Sequence, residues 1–458
     1  MKKHHIPLLP ALLLATSATH AGPAIEHWVQ PSGAQVYLVQ SRHIPMLDVQ
    51  LDFDAGERRS GAGRAGLASA TASMLSLGTA AWSEHAAMDE NQISEAWASL
   101  GASFGCGANG ERTSCRLRTL TAPELLQRSV RQAAHQLAAP TFDAAIWQRE
   151  RERWAQSIRE ALTRPGPVAA RAFDAAVYTT HPYAASTTPA TLAAITPDDL
   201  RAFWRRAWQP CQARISLVGH ATRAQADAIA SALLAGLHEG KANPATCPTQ
   251  PAVPEVPPLP KASAQHIPMA SAQTHVLIGQ PGYTRSDPDF FPLLVGNHIL
   301  GGGGFTSRLM HQVREQRGLV YGISSSFEPG LHAGAFTISL QTRPDQAKEA
   351  AALAQRIIAS FVQSGPTEKE LQAAKDNLIG SFPLRLDSNA KLLANTANIA
   401  WHKLPLDYLD HWTEQVQAVT IAEIRRAFAR VLQPARMVTI TVGPKENATA
   451  ASAPEKNK

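Results

Sequence analysis

Hydrophobic and polar positions along this 458-residue chain fall into two rhythms. Short runs of β-branched and alternating residues read as strands over 34–39 and 47–53 near the start, and again over 275–279 in the second half. Elsewhere the spacing is helical. The segment 89–100 places Ile93, Ala96, Trp97 and Leu100 on one face, and Thr367 with Glu370 forms a capping box ahead of Leu371, Ala374 and Leu378. Antiparallel strands grouped apart from runs of helices predict an α+β fold rather than a doubly wound parallel sheet.

One stretch of the pattern occurs twice. Thr196, an amphipathic helix, Gln209-Pro210 and an alternating strand ending at Gly219 match, without a gap, Thr420, its helix, Gln433-Pro434 and the strand ending at Gly443. Each matched pair is 224 positions apart, with a Thr positioned to cap the helix and Gln-Pro to close it. A helix and a strand recur by chance, but Thr, Gln, Pro and Gly in one register indicate an internal duplication. Between the copies, Pro248, Pro251, Pro254, Pro257, Pro258 and Pro260 stiffen an extended connector. The expected organisation is a first lobe over 22–247, a connector over 248–262, a second lobe over 263–445 and a polar tail over 446–458, the length being more than one core usually organises.

The beginning of the chain carries Lys2 and Lys3, an apolar run over 6–15 and small residues around Thr19 and Ala21, which predicts a cleaved export signal over 1–21 and a periplasmic protein. The apolar run is shorter than the roughly 20 residues that span a bilayer, so no membrane anchor is expected. Hydrophobic residues at 44% supply apolar surface for large cores, and the formal charge of +6 is too small and dispersed to suggest a nucleic-acid partner. Export permits disulfides. Cys106 and Cys115 flank the turn-rich Gly107–Gly110 between two candidate strands, a spacing suited to a cross-hairpin bridge that would leave Cys211 and Cys247 as a second pair. Zinc binding by these cysteines is the weaker alternative, because none sits in a C-x-x-C pair.

The most specific motif runs from the glycines at 301–304 through Ser307-Arg308-Leu309 to Arg314-Glu315-Gln316-Arg317-Gly318-Leu319-Val320-Tyr321. It is similar to the second-half signature of the pitrilysin/insulinase-type zinc peptidases. That resemblance implies two homologous lobes, each a mainly antiparallel sheet with helices packed on it, forming a clamshell around a cavity. It also implies that Arg314 and Tyr321 position substrate, a guanidinium fork and a phenol being suited to hold a carbonyl or a developing oxyanion. The glycines do not continue into Lys-Ser/Thr or complete G-x-G-x-x-G, which discounts nucleotide binding.

The first-half signature of the family is missing. Active members carry H-x-x-E-H on a helix, two His ligands and a Glu that polarises water, with a glutamate ligand on a later helix. Aligned on Met74-Leu75 and Gly78-Thr79, this chain has Ser69 and Ser73 at the His positions and Ala72 at the Glu, while Ser157 falls at the third ligand and Glu150 resembles a supporting carboxylate. None of the 17 histidines belongs to H-x-x-E-H or H-E-x-x-H, and Glu84-His85 has no second His one turn away. Serine and alanine cannot replace imidazole and carboxylate around zinc.

The resemblance therefore implies a non-catalytic subunit, with no cofactor of its own. It would join a zinc-bearing homologous subunit and lend Arg314 and Tyr321 in trans to peptide hydrolysis. The alternative is a scaffold or peptide-binding protein with no part in hydrolysis.

Overall fold

The computed structural model describes residues 24–237 and 247–445; the expected signal segment over 1–21 and the tail over 446–458 lie outside these described residues. In the first half, strands β1 (Glu26–Val29), β2 (Gln35–Gln40) and β3 (Met46–Phe53) are followed by a short ribbon, β4 (Gly78–Thr79) with β5 (Met88–Asp89), and then by β6 (Ser103–Ala108), β7 (Thr113–Leu120) and β8 (Arg214–Gly219). The main sheet has the order β1-β2-β8-β3-β7-β6. The second half contributes β9 (Ser263–Pro268), β10 (Thr274–Pro281), β11 (Gly322–Phe327), β12 (Ala335–Thr342) and β13 (Val438–Gly443). Their order, β9-β13-β10-β12-β11, repeats β2-β8-β3-β7-β6 strand for strand. In each sheet one pair, β2 with β8 or β9 with β13, is parallel and the other pairs are antiparallel.

The helices follow the same duplication of pattern. The first half carries α1 (Leu67–Met74), α2 (Glu90–Leu100), α3 (Pro123–Ala138), α4 (Ala144–Ala161), α5 (Pro165–Tyr178), α6 (Pro189–Ala193), α7 (Pro197–Ala207) and α8 (Arg223–Leu234). The second carries α9 (Phe290–Asn297), α10 (Ala347–Ser364), α11 (Glu368–Ser381), α12 (Asn389–His402), α13 (Tyr408–Ala418) and α14 (Ile421–Val431). The starts of α3, α4, α5 and α7 lie 224 positions before those of α10, α11, α12 and α14. Thr196 and Thr420 each cap their helix in a capping box, with Asp199 and Glu423 reaching back to the cap residue.

Each sheet buries one face under its own helices. Val49, Leu51, Phe53, Trp147 and Trp208 lie in the first core, where Trp208 stacks on Phe53 with centroids 5.2 Å apart. Ile278, Phe336, Phe361 and Phe428 lie in the second. The opposite faces are covered by an exchange of helices. Helix α5, from the first half, sets Phe173 and Val177 against Val438, Ile440 and Val442 of the second sheet. Helix α12, from the second half, sets Leu393, Ile399 and Ala400 against Tyr37, Val39 and Val218 of the first. Gly279 makes the first exchange possible, since a Cβ there would come 2.7 Å from the Phe173 ring and 2.0 Å from the Phe336 carbonyl oxygen.

Val256 and Leu259 of the proline-rich connector are buried in the same cluster as α5 and β13, so the connector is packed rather than free. The two lobes stand as the halves of a clamshell, joined along the exchanged helices. Burial of each such Phe, Val or Leu contributes about 1.5–3 kcal/mol. Cys106 faces Cys115 across the β6–β7 hairpin with a sulfur–sulfur distance of 2.00 Å, and Cys211 is joined to Cys247 at 1.97 Å.

Candidate functional site

Helix α9 runs on into a wider turn, His298–Gly302, and then the glycine segment. Gly301 lies directly on β11, where a Cβ would meet the Ser325 amide nitrogen at 2.6 Å. Asn297 and Ser325 pin this contact: the Asn297 amide donates to the Ser325 carbonyl (3.1 Å) and the Ser325 hydroxyl donates to the Asn297 side-chain oxygen (2.7 Å). Next, Arg308 forks onto Glu370, which closes the capping box of α11 with Thr367, and donates to the Gly365 carbonyl at 3.0 Å. Burial pushes the Glu370 carboxyl up, but Arg308 and Thr367 outweigh it and hold it down at about 2. Arg308 is therefore a strut between the glycine turn and α11.

Arg314 sits on the turn Met310–Glu315, and Gly318 at φ +61 reverses the chain before Leu319 and Val320 go into the core. The next residue, Tyr321, is 79% exposed immediately ahead of the edge strand β11. The structure brings Arg314 and Tyr321 together, with the guanidinium carbon 5.1 Å from the Tyr321 ring centroid. The same guanidinium lies 4.9 Å from the ring of Phe305, itself 63% exposed. One cation is thus held between two exposed aromatic faces, a contact worth about 0.5–1 kcal/mol at an exposed site. Phe305 was not singled out in the sequence; an aromatic closing a run of glycines is the signal that marks it. Among the described residues no hydrogen bond holds the Tyr321 hydroxyl. Chemically, the group offers a planar fork of donors and a phenol aimed outward, suited to a carbonyl or carboxylate.

The residues at the family's zinc positions are occupied otherwise. Ser69 donates both its amide and its hydroxyl to Glu57, which also accepts from the Gly66 amide and the Ser60 hydroxyl. Together these contacts cap the N-terminus of α1. Ala72 is buried at 1% exposure, and the Ser73 hydroxyl donates to the Ala70 carbonyl at 3.1 Å. Ser157 lies exposed on α4, where buried Glu150 pairs with Arg149 and Arg153. One methyl and three hydroxyls do not fit a zinc site, which takes imidazole, thiolate or carboxylate donors. Among the described residues no three His, Cys, Asp or Glu side chains form a group able to hold a metal ion. Glu84-His85 belongs to a turn in which His85 stacks on His135 with centroids 5.2 Å apart. No described helix is long and apolar enough to cross a membrane.

Comparison with known proteins gives these features a family. The model of the peptidase M16 inactive domain matches residues 194–378. The "Non-peptidase homolog YmxG" of Helicobacter pylori is 37% identical over 125 residues, covering 27% of this chain and 28% of that protein. The "Uncharacterized zinc protease YmxG" of Bacillus subtilis is 31% identical over 156 residues, covering 33% and 37%. The matched stretches span about a quarter to a half of the length of the curated relatives. Among solved structures, the periplasmic protease PqqL from Escherichia coli shares the fold at 16% identity and TM-score 0.75, over 97% of this chain and 49% of that one. A peptidase M16 inactive domain from Pseudomonas fluorescens superposes with TM-score 0.85 and 34% identity, over 94% of this chain and 99% of that chain. The chain therefore belongs to the M16 (pitrilysin/insulinase-type) peptidase family, as a member without the zinc motif H-x-x-E-H.

Proposed function

We propose that this protein is a non-catalytic subunit of a heteromeric zinc metallopeptidase, exported to the periplasm, which lends Arg314 and Tyr321 to peptide hydrolysis on a zinc-bearing homologous partner. One observation carries the reading: Arg314 is held between Phe305 and Tyr321 at an exposed edge of the second lobe. Meanwhile Ser69, Ala72 and Ser73 serve only to cap and pack α1. A scaffold has no chemical need for an exposed phenol beside a guanidinium when its hydroxyl takes no hydrogen bond among the described residues. The names of the Pseudomonas and Helicobacter pylori relatives support inactivity, and that of PqqL supports the compartment.

In this reading the partner supplies the metal-activated water, and Arg314 and Tyr321 hold the scissile carbonyl. The repeated sheet order and the 224-residue offset fit a duplicated ancestor with one half specialised for the Arg/Tyr pair. Reconstitution tests the proposal. The purified chain alone should leave peptides intact, and mixing it with a zinc-bearing homologue should raise that homologue's turnover. Failure to form a complex, or turnover unaffected by this chain, would sink it and leave the scaffold alternative.

A further inference from the structure

A pocket of about 660 Å³ lies where the C-terminal end of α12 reaches the first sheet, walled by Tyr37, Arg214, Lys403 and connector residues 249–252. Its charges are unequally committed. Asp54, the carboxylate in the wall, accepts from Arg58 at 2.5 Å and from Arg59 at 2.7 and 3.1 Å. Arg59 also donates to the Pro251 carbonyl, which ties the connector to the pocket. Nearby Asp52 is engaged by Arg112, Ser114 and Gln50.

Arg214 and Lys403 take no part in these hydrogen bonds. The Arg214 guanidinium lies on the Trp401 indole at 4.6 Å, and among the described residues no carboxylate or carbonyl accepts a hydrogen bond from it. Lys403 is exposed in a left-handed conformation, φ 54, and no ion pair involves it among the described residues. The Tyr37 hydroxyl likewise has no hydrogen-bond partner there.

We propose that this pocket binds a carboxylate at the end of an extended peptide. A guanidinium held against an indole, with no hydrogen bond taken up by its N–H groups among the described residues, has donors available for a two-point contact with a carboxylate. Lys403 adds a second cation, and Tyr37 a neutral donor. Asp52 and Asp54 weaken the field here, which favours a singly charged carboxylate over doubly charged phosphate. The pocket is larger than a small organic acid needs, which leaves volume for the residues that precede the carboxylate. This site is separate from Arg314 and Tyr321, and its existence does not rest on their role.

Calorimetric titration of the whole chain tests it, with tetraalanine bearing a free C-terminus, the same peptide amidated, acetate and inorganic phosphate as ligands. The free acid should bind, amidation should weaken binding about tenfold or more, and acetate should bind more weakly than the peptide. Arg214→Gln should weaken the free acid more than tenfold, and Lys403→Gly and Tyr37→Phe severalfold. No binding of the free acid at millimolar concentration, equal binding of the amide, or tighter binding of phosphate would each overturn the assignment; acetate binding as tightly as tetraalanine would overturn its peptide part. Should Arg214→Gln fail to fold, Lys403→Gly decides, because it is exposed and its backbone conformation suits glycine.

Discussion

The Glu111 carboxylate accepts a hydrogen bond from the Trp401 indole at 3.1 Å, joining the β6–β7 hairpin of the first half to helix α12 of the second. The same carboxylate accepts from the Tyr183 hydroxyl and from the Leu331 amide, both at 2.5 Å. Three segments converge on one acceptor at the junction of the lobes. Glu111→Ala would strand the buried Trp401 indole N–H and remove the charge that attracts all three donors. Hydrogen bonds to charged groups contribute about 1.5–3 kcal/mol each, and they are not additive here. Urea denaturation should show a loss of about 2–4 kcal/mol. A change under about 0.5 kcal/mol would mean that the exchanged helices alone hold the junction.

His402, the last residue of α12, makes the same junction sensitive to acid. Burial pushes it down to about 4; Glu111 opposes this, and Arg285, Arg112 and Arg214 reinforce it. The folded state therefore holds His402 neutral while the unfolded chain binds a proton below about pH 6.5. Stability is fully present above that pH and falls as the pH drops toward 4. Its share of the loss at pH 5 is about 2 kcal/mol or less after solvent screening. Unfolding curves at pH 7 and 5 check this, and His402→Gln should reduce the difference between them. An equal difference in the variant would assign the acid sensitivity to other groups.

Much of the fold was legible because it rests on local rules. The Thr caps at Thr196 and Thr420 and the capping box at Thr367 are set by local residues, and the strands read over 34–39, 47–53 and 275–279 fall within observed strands to within a residue. The exchange of α5 and α12 was not legible. Phe173 and Ile399 are apolar residues on amphipathic helices, and nothing in a helix's own periodicity says which sheet it covers. For the same reason the connector read as a spacer, although Val256 and Leu259 are buried in it. At the candidate site, Arg314 and Tyr321 stood out through the motif around them. Phe305 closes the glycine run and so carried a signal within the motif itself, whereas the Arg214–Trp401 contact joins distant segments and left no spacing to find.

The donor set at Ser69, Ala72, Ser73 and Ser157 gives an expectation about metal content. After dialysis against a weak chelator, elemental analysis should find far less than one zinc per chain. About one tightly held zinc per chain would contradict the reading of these positions and call for a ligand set elsewhere.

The central claim is that Arg314 and Tyr321 act on a peptide held by another subunit, and Tyr321→Phe tests it most directly. Tyr321 is 79% exposed, so removing one oxygen should leave folding and the contact with Arg314 intact. Loss of one oxyanion donor typically costs a hundred- to a thousandfold in turnover, about 2.7–4 kcal/mol. The measurement is kcat for peptide hydrolysis by the complex with the zinc-bearing homologue, wild-type against Tyr321→Phe, with assembly verified by size-exclusion chromatography. The account predicts an intact complex whose kcat falls about a hundredfold or more. An intact complex with unchanged kcat would contradict it.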